Sequence, residues 1–417
     1  MTFRTPRPRR LALPALRPPA FTGRLHDART ATAVGRWLGA AFAVCFVTGL
    51  VSHYLQRPPG PLADRLPTRP VWGYALSQGL HVAAGLAAIV LLLVKLWAVY
   101  PRLFAWPPVR SVRHALERLS VALLVASAVF EVFTGLLNIV EWYPWPFAFV
   151  PVHFAVAWIA TGSILLHIAV KAPEIREHWR RRSAGTRSLP AAAGPLTADD
   201  GPPAAADGSP ASSGGPLPAE DEGDRRSLLL ATGGAIGVVT LTTVGQSFTP
   251  LKAFDLLAPR HPDHGPQGLP VNRTATAAGV SARDLRQWRL DVGGPRPYVL
   301  TLDALRAMPQ TRARLPIACV EGWSVDADWT GVPVRTLIER AGGRPGATAV
   351  RVTSLEADGA YRVTEMGAGY AGDPLTLLAL TLNGQVLSLD HGFPARIVAP
   401  NRPGVLQTKW VHRLEVL

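Results

Sequence analysis

Cys319 and Glu321 stand two residues apart in the run Leu315-Pro-Ile-Ala-Cys-Val-Glu-Gly-Trp-Ser324, at the end of an apolar stretch and ahead of a polar turn. A strand end opening into a loop is a common place for a functional side chain. A thiolate there has two chemistries open to it. As a nucleophile it needs a general base, and His391 and His412 are available without any thiol-protease signature. As a soft metal ligand it lacks the second cysteine that zinc would require. An inert buried cysteine is the third reading. The other cysteine, Cys45, lies in a distant apolar run, so no disulfide framework follows.

Histidine supplies the second chemistry. His81, His153 and His167 all lie in long apolar segments, where ionisable residues are rare and tend to be functional. The fourteen residues from His153 to His167 rise about 21 Å along a helix and complete almost four turns, which puts both on one face near opposite membrane surfaces. Imidazole ligates haem iron, and a bis-histidine site needs a partner on another helix at the same depth. His81 suits His153. Fourteen residues after His81 stands Lys95, read as a snorkelling, positive-inside lysine, so His167 has no obvious partner; His26 and His114 could approach that side, and His53 the outer one. One haem is expected, with a second allowed by His167. The alternative is that these are polar side chains bonded across the bundle. Glu131, midway along its apolar segment, is a candidate for proton or quinone handling or for a hydrogen bond within the bundle.

The elements that must hold these residues follow from length and composition. The chain has 417 residues, a prior of two to three domains, of which 48% are apolar and only 17% charged. That excludes a wholly soluble chain. Of the 43 basic and 29 acidic residues, 24 and 14 lie before Pro250. The basic excess sits in tails and loops beside apolar runs rather than on one folded surface, which excludes a nucleic-acid binder and fits contact with membrane lipid.

Four apolar segments, near Ala33 to Leu55, Tyr74 to Tyr100, Leu119 to Val140 and Phe149 to Val170, are long enough to cross a bilayer. Arginines crowd the N-terminal tail, the second connection and the exit from the fourth segment, while the third connection has no Lys or Arg. Both ends of this unit, the N-terminus included, are therefore expected in the cytoplasm. Trp142, Tyr143 and Trp145 mark the outer interface, and no cleavage site follows the first segment. The expected layout is a basic tail (1–32), a four-span domain (33–175), a flexible cytoplasmic linker rich in Ala, Gly, Pro and Ser (176–224), a fifth span (225–249) and an outer domain (250–417). Arg225-Arg226 directly before the apolar run resembles a twin-arginine export signal, used for proteins that fold around a cofactor before crossing the membrane; a plain fifth span is the alternative.

After Pro250 short β-branched runs alternate with Gly, Pro and Asp. Strands are expected at 299–302, 349–353, 361–364, 385–388 and 396–399, and helices at 302–308, 334–341 and 375–382, giving an α+β class.

Two resemblances rest on these residues. The four spans with a fourteen-residue histidine pair resemble the b-type cytochrome subunits of formate dehydrogenase and related enzymes, although Gly35 and Arg36 stand where that pattern has a histidine. The resemblance implies haem b passing electrons to or from a quinone pool. Cys319-Val-Glu-Gly-Trp323, Asp390-His-Gly-Phe-Pro-Ala-Arg396 and Leu406-Gln-Thr-Lys-Trp410, in that order, resemble the molybdopterin-binding domain of the sulfite oxidase family. That implies Cys319 as the one protein ligand of molybdenum, His391, Arg396, Gln407, Thr408 and Lys409 at cofactor-contact positions, and Asn272 and Arg273 in a loop entering the site. Glu321 is similar to a glutamate beside the metal in the bacterial methionine sulfoxide reductase branch. The immunoglobulin-like dimerisation domain of full sulfite oxidases is not expected.

The fold expected is thus multi-domain: an all-α four-helix transmembrane bundle with a fifth span, followed by an α+β sulfite-oxidase-type molybdopterin domain. The function expected is that of a bacterial multi-pass membrane oxidoreductase. It would carry out two-electron oxygen-atom transfer on an extracytoplasmic small or protein-borne substrate and exchange electrons with quinone through haem b. The alternative is a metal-free, membrane-tethered binding or scaffold domain on the same fold.

Overall fold

The computed structural model describes residues 26, 28–185, 219–261, 264–283 and 285–417. The basic tail expected over 1–32 lies mostly outside the described residues, as does the linker between 186 and 218.

The first half is helical: α1 (Ala28–Gln56), the single turn α2 (Gly60–Ala63), α3 (Gly73–Leu103), α4 (Val112–Ile139), α5 (Phe149–Gly185) and α6 (Ala219–Val244). Five helices are long and apolar enough to cross a membrane, over Arg29–Gln56, Gly73–Leu103, Val112–Ile139, Phe149–Val170 and Gly223–Val244. The Phe149–Val170 stretch has a mean hydropathy of 1.8 yet is only 6% buried. So much outward apolar surface requires lipid rather than water around it. α1 packs on α3 and α5, α3 on α4, and α4 on α5, while α6 lies against α3.

The expected linker is shorter than its composition suggests, because helix occupies both of its ends. After Pro173 no Gly or Pro interrupts the chain before Gly185, where α5 ends. At the other end α6 begins at Ala219. Lys95 is not a lysine reaching for water. Its Nζ donates to the Ala31 carbonyl at 2.5 Å, and a Cβ on Gly35 would lie 2.9 Å from it.

The second half forms two five-stranded sheets from β1 (Arg289–Gly293), β2 (Tyr298–Thr301), β3 (Thr311–Ala318), β4 (Ser324–Pro333), β5 (Val350–Ser354), β6 (Val363–Met366), β7 (Leu377–Leu382), β8 (Gln385–Val386), β9 (Arg396–Val398) and β10 (Val411–Val416). One sheet runs β2-β1-β10-β5-β6, with only β1 and β10 parallel; the other runs β3-β4-β7-β8, with β9 also on β7. Helices α7 (Leu302–Arg306), α8 (Val334–Arg340) and α9 (Ala368–Gly372) complete it. The α+β expectation holds, with one reversal. The Leu-rich run 375–382 is strand β7 rather than helix, because it pairs with β4, β8 and β9 and is buried on both faces, where tertiary packing overrides leucine's helical preference.

The domain sits on the helix ends that carry the connections 57–72, with three arginines, and 140–148, with no Lys or Arg. Asp64 accepts from the Ala368 N–H at 2.8 Å, and Arg69 pairs with Asp373 at 2.8 Å. Asn401, held at φ 55°, accepts from the Tyr74 N–H at 2.6 Å and donates to the Pro67 carbonyl at 2.7 Å. Asn401→Ala strands the buried Tyr74 N–H, drops the bond to the Pro67 carbonyl and removes a side chain that tolerates the left-handed backbone, so a loss of about 2–4 kcal/mol is expected. Thermal unfolding of the detergent-purified chain, compared with its parent, checks it.

Candidate functional site

The hairpin β3–β4 sets the position of Cys319. Its strands pair from Thr311↔Gly331 to Ala318↔Ser324, and the intervening turn is closed by Cys319 N–H to the Trp323 carbonyl at 2.9 Å and Gly322 N–H to the Cys319 carbonyl at 3.1 Å. Gly322 is required twice over: its φ is +97°, and a Cβ there would collide with Val82 of α3. The turn therefore lies against the membrane helices. Val320 shares the wall of an internal cavity with residues of α1, α3, α4 and α5.

Around the thiol the polar groups are few and fully engaged. Asn272 Nδ2 donates to Cys319 Sγ at 2.9 Å and also to Glu321 Oε2. Trp323 Nε1 donates to Glu321 Oε2 at 3.1 Å and to Asn272 Oδ1 at 3.2 Å. Burial, then the charge of Glu321, pushes the Cys319 thiol well above its ordinary value. Such a thiol is a poor nucleophile at neutral pH, which removes the thiol-protease reading; a bound metal ion is what would hold its thiolate. Burial also raises Glu321 above the ordinary carboxylate range, opposed by the Trp323 hydrogen bond.

Behind the thiol lies a set of buried cations. Arg396 is 3% exposed, donates from Nη1 to the His391 carbonyl at 3.1 Å and from Nη2 to the Gln407 carbonyl at 3.3 Å, and lies over the Trp329 ring. Its Nε and the Gln407 Oε1 have no partner. Lys409 Nζ reaches only carbonyls, those of Asp390 at 2.7 Å and Arg273 at 3.0 Å. Arg402, absent from the sequence-level set, is equally buried and donates to the Leu406 and Glu365 carbonyls. Its only sequence signal was the run Asn401-Arg402-Pro403-Gly404. Among the described residues none of the three forms an ion pair with a carboxylate. Burial lowers Arg396 and Arg402 to about 10. Burial, then Arg396, lowers Lys409 to about 7. A site this rich in desolvated positive charge, with a donor left over, fits an anionic group such as the phosphate of a pterin.

The remaining predicted residues divide. His391 is buried, its Nε2 lying 2.7 Å from the Pro266 carbonyl, and burial and Arg396 lower it to about 4, so the ring is neutral and donates there. Gly392 beside it, at φ +103°, lets the chain pass the Cβ atoms of Lys409 and Arg396. Thr408 shares a 2.8 Å hydrogen bond with Thr364. Arg273 does not join the thiol, because its guanidinium is committed to Asp358 at 2.8 Å and Glu356 at 3.3 Å; only its carbonyl meets Lys409.

In the helical half the rings of His81 and His153 line one cavity with centroids 6.4 Å apart. Two metal–imidazole bonds of ~2 Å, with roughly 1 Å more from each nitrogen to its ring centre, give about 6 Å between centroids. His81 Nδ1 meets the Cys45 carbonyl at 3.0 Å, and His153 Nδ1 meets Thr134 Oγ1 at 3.1 Å, whose own hydroxyl donates to the Phe130 carbonyl. Both rings then donate through Nδ1, and Nε2 is the atom that would be left to meet a metal. His153 Nε2 lies 3.2 Å from Glu131 Oε2. Gly49 and Gly135 stand beside the two rings. His53 also lines the cavity, stacked on Phe154, whereas His167 does not.

Residues 277–417 match the family model described as the oxidoreductase molybdopterin-binding domain. The protein-methionine-sulfoxide reductase catalytic subunit MsrP of Gluconobacter oxydans is 32% identical over 146 residues, 31% of this chain and 47% of its own. YuiH of Bacillus subtilis, an uncharacterized oxidoreductase, is 30% identical over 135 residues, 32% of this chain and 66% of its own. The Azospira oryzae protein YedZ1, provisionally named a protein-methionine-sulfoxide reductase subunit, is 32% identical over 163 residues, 38% of this chain and 61% of its own. The chain thus spans about half to two thirds of the length of these relatives.

The buried lysine gives a pH signature. Its folded value near 7 lies below the ordinary 10.5, so between these the unfolded chain holds a proton that the folded one has lost. Stability of the cofactor-free protein should rise with pH from 7 to 10 by an amount of order a few kcal/mol, and Lys409→Met should flatten that rise in urea melts. The thiol and carboxyl turn, the buried cations behind it and the family match agree: residues 277–417 are a molybdopterin-binding oxidoreductase domain.

Proposed function

We propose that the chain is a membrane-bound molybdenum oxidoreductase. It transfers an oxygen atom to or from an extracytoplasmic substrate and exchanges the two electrons with the quinone pool through one haem b between His81 and His153. The observation that carries the reading is the shared wall: the turn holding Cys319 lines, through Val320, the same cavity as both histidines. The name of the MsrP relative makes a sulfoxide the first substrate to test, reduced at the expense of quinol.

Bound molybdenum with its pterin supplies the two-electron oxygen-atom chemistry. Cys319 holds the metal through its thiolate, and Asn272 fixes that sulfur from the side. Glu321, two residues from Cys319, is the group placed to give or take the proton that oxygen transfer requires. Arg396, Arg402 and Lys409 neutralise the cofactor's phosphate, and Trp323 locks the carboxyl and amide in place. Haem supplies one-electron storage between quinone and substrate. A single haem is proposed because His81 and His153 line one cavity, and His167 is not in its wall. Arg225-Arg226 ahead of the apolar run of α6 is read as the export signal of the outer domain. A metal-free scaffold is the weaker reading, since it leaves three buried cations without an anion.

Detergent-purified protein from a cofactor-competent host should contain about one molybdenum and one b-type haem per chain. Cys319→Ser should lose the molybdenum and keep the haem, and His153→Leu should do the reverse. Metal analysis and the dithionite-reduced spectrum decide it, and a parent chain without molybdenum would overturn the reading.

A further inference from the structure

Two carboxamides from different helices meet at one peptide oxygen. Gln78 Nε2 of α3 donates to the Val320 carbonyl at 2.9 Å, and Asn138 Nδ2 of α4 donates to the same oxygen at 3.1 Å. Neither amide is free to flip. Ser52 Oγ donates to Gln78 Oε1 at 3.1 Å and is itself held by Gln56 at 3.0 Å, while Tyr143 Oη donates to Asn138 Oδ1 at 2.9 Å. With each amide oxygen taken by a donor, each NH₂ must face Val320. The contact is tightened by Ser324 N–H to the Gln246 carbonyl at 2.7 Å, by Ser247 Oγ to the Gly322 carbonyl and by Val82 against Gly322. Val320 is the neighbour of Cys319 in sequence, and Val82 is the neighbour of His81.

We propose that Gln78 and Asn138 are positioning residues for internal electron exchange, clamping the Val320 peptide as the wall between the catalytic turn and the histidine cavity. This rests on the haem and molybdenum reading above. Each electron that crosses the wall oxidises one ferrous haem to ferric. Two crossings with two protons convert a sulfoxide to sulfide and water, and one quinol restores both electrons while releasing two protons. An oxidisable substrate runs the same electrons the other way. A clamp that served docking alone would leave the crossing rate unmoved once the fold and both cofactors are retained.

The test uses the full chain in detergent with Gln78→Leu, Asn138→Leu and the double variant, which keep bulk and remove the donors. Molybdenum and haem contents are measured first. A deazaflavin flash then reduces the haem, and its reoxidation is followed optically with the molybdenum(V) EPR signal alongside, so no substrate enters. The double variant should slow reoxidation roughly 10–100-fold, the range for outer partners of metal sites, with faster amide exchange across 318–324. An unchanged rate at full cofactor loading would sink the proposal. Should the double variant fail to load, the single variants carry the test, each expected to slow the rate by several-fold. A parent chain lacking either cofactor overturns the underlying reading, and this proposal with it, before any flash is fired.

Discussion

The Val320 carbonyl takes hydrogen bonds from Gln78 and Asn138 because the turn that carries it has no strand partner left. A buried peptide oxygen must be satisfied, and in a hairpin turn the ladder has already ended. Helix-borne amides supply the missing donors, and this fixes where the α/β domain sits on the helices. Other contacts spread the same docking over a wide face: Asn401 on Tyr74 and Pro67, Arg69 on Asp373, Asp64 on α9, and Arg260 on Glu141. The Cys319 turn is therefore at the interface of the two halves rather than on the far side of the domain.

The same turn explains why the site can be so sparing of polar groups. Cys319, Glu321, Asn272 and Trp323 satisfy one another in a closed ring of hydrogen bonds, so a single protein sulfur is held in place without a second ligand from the chain. The cations behind it obey the opposite logic. Arg396, Arg402 and Lys409 bond to carbonyls and leave net positive charge buried, which is costly unless an anion arrives. In the apolar half two imidazoles line one cavity, each oriented through a hydrogen bond at Nδ1.

Much of this was legible from residue order. Apolar runs long enough to cross a bilayer located the five helices, since length and hydropathy are local properties of the chain. Cys319 at a strand end was visible because an apolar run stops at a Gly-containing turn, and the three spaced motifs pointed to the fold of residues 277–417. His81 and His153 could be paired by depth alone, because a helix converts residue number into height.

Partnership between distant segments was a different matter. Strand β7 was hidden because leucine and alanine prefer helix in isolation, and only pairing with β4 and β9 reverses that preference. Arg273 and Arg402 exchanged importance for the same reason: what each guanidinium meets depends on Asp358 and Glu365, dozens of residues away. Lys95 looked like a residue seeking water until α1 brought the Ala31 carbonyl to it. The sequence by itself determined which residues carry chemistry and at what height they stand, because spacing and hydropathy are written locally. Tertiary structure alone decided that the Cys319 turn and the histidine cavity share Val320, because that contact joins segments whose sequence separation of 242 and 182 residues leaves no periodic trace.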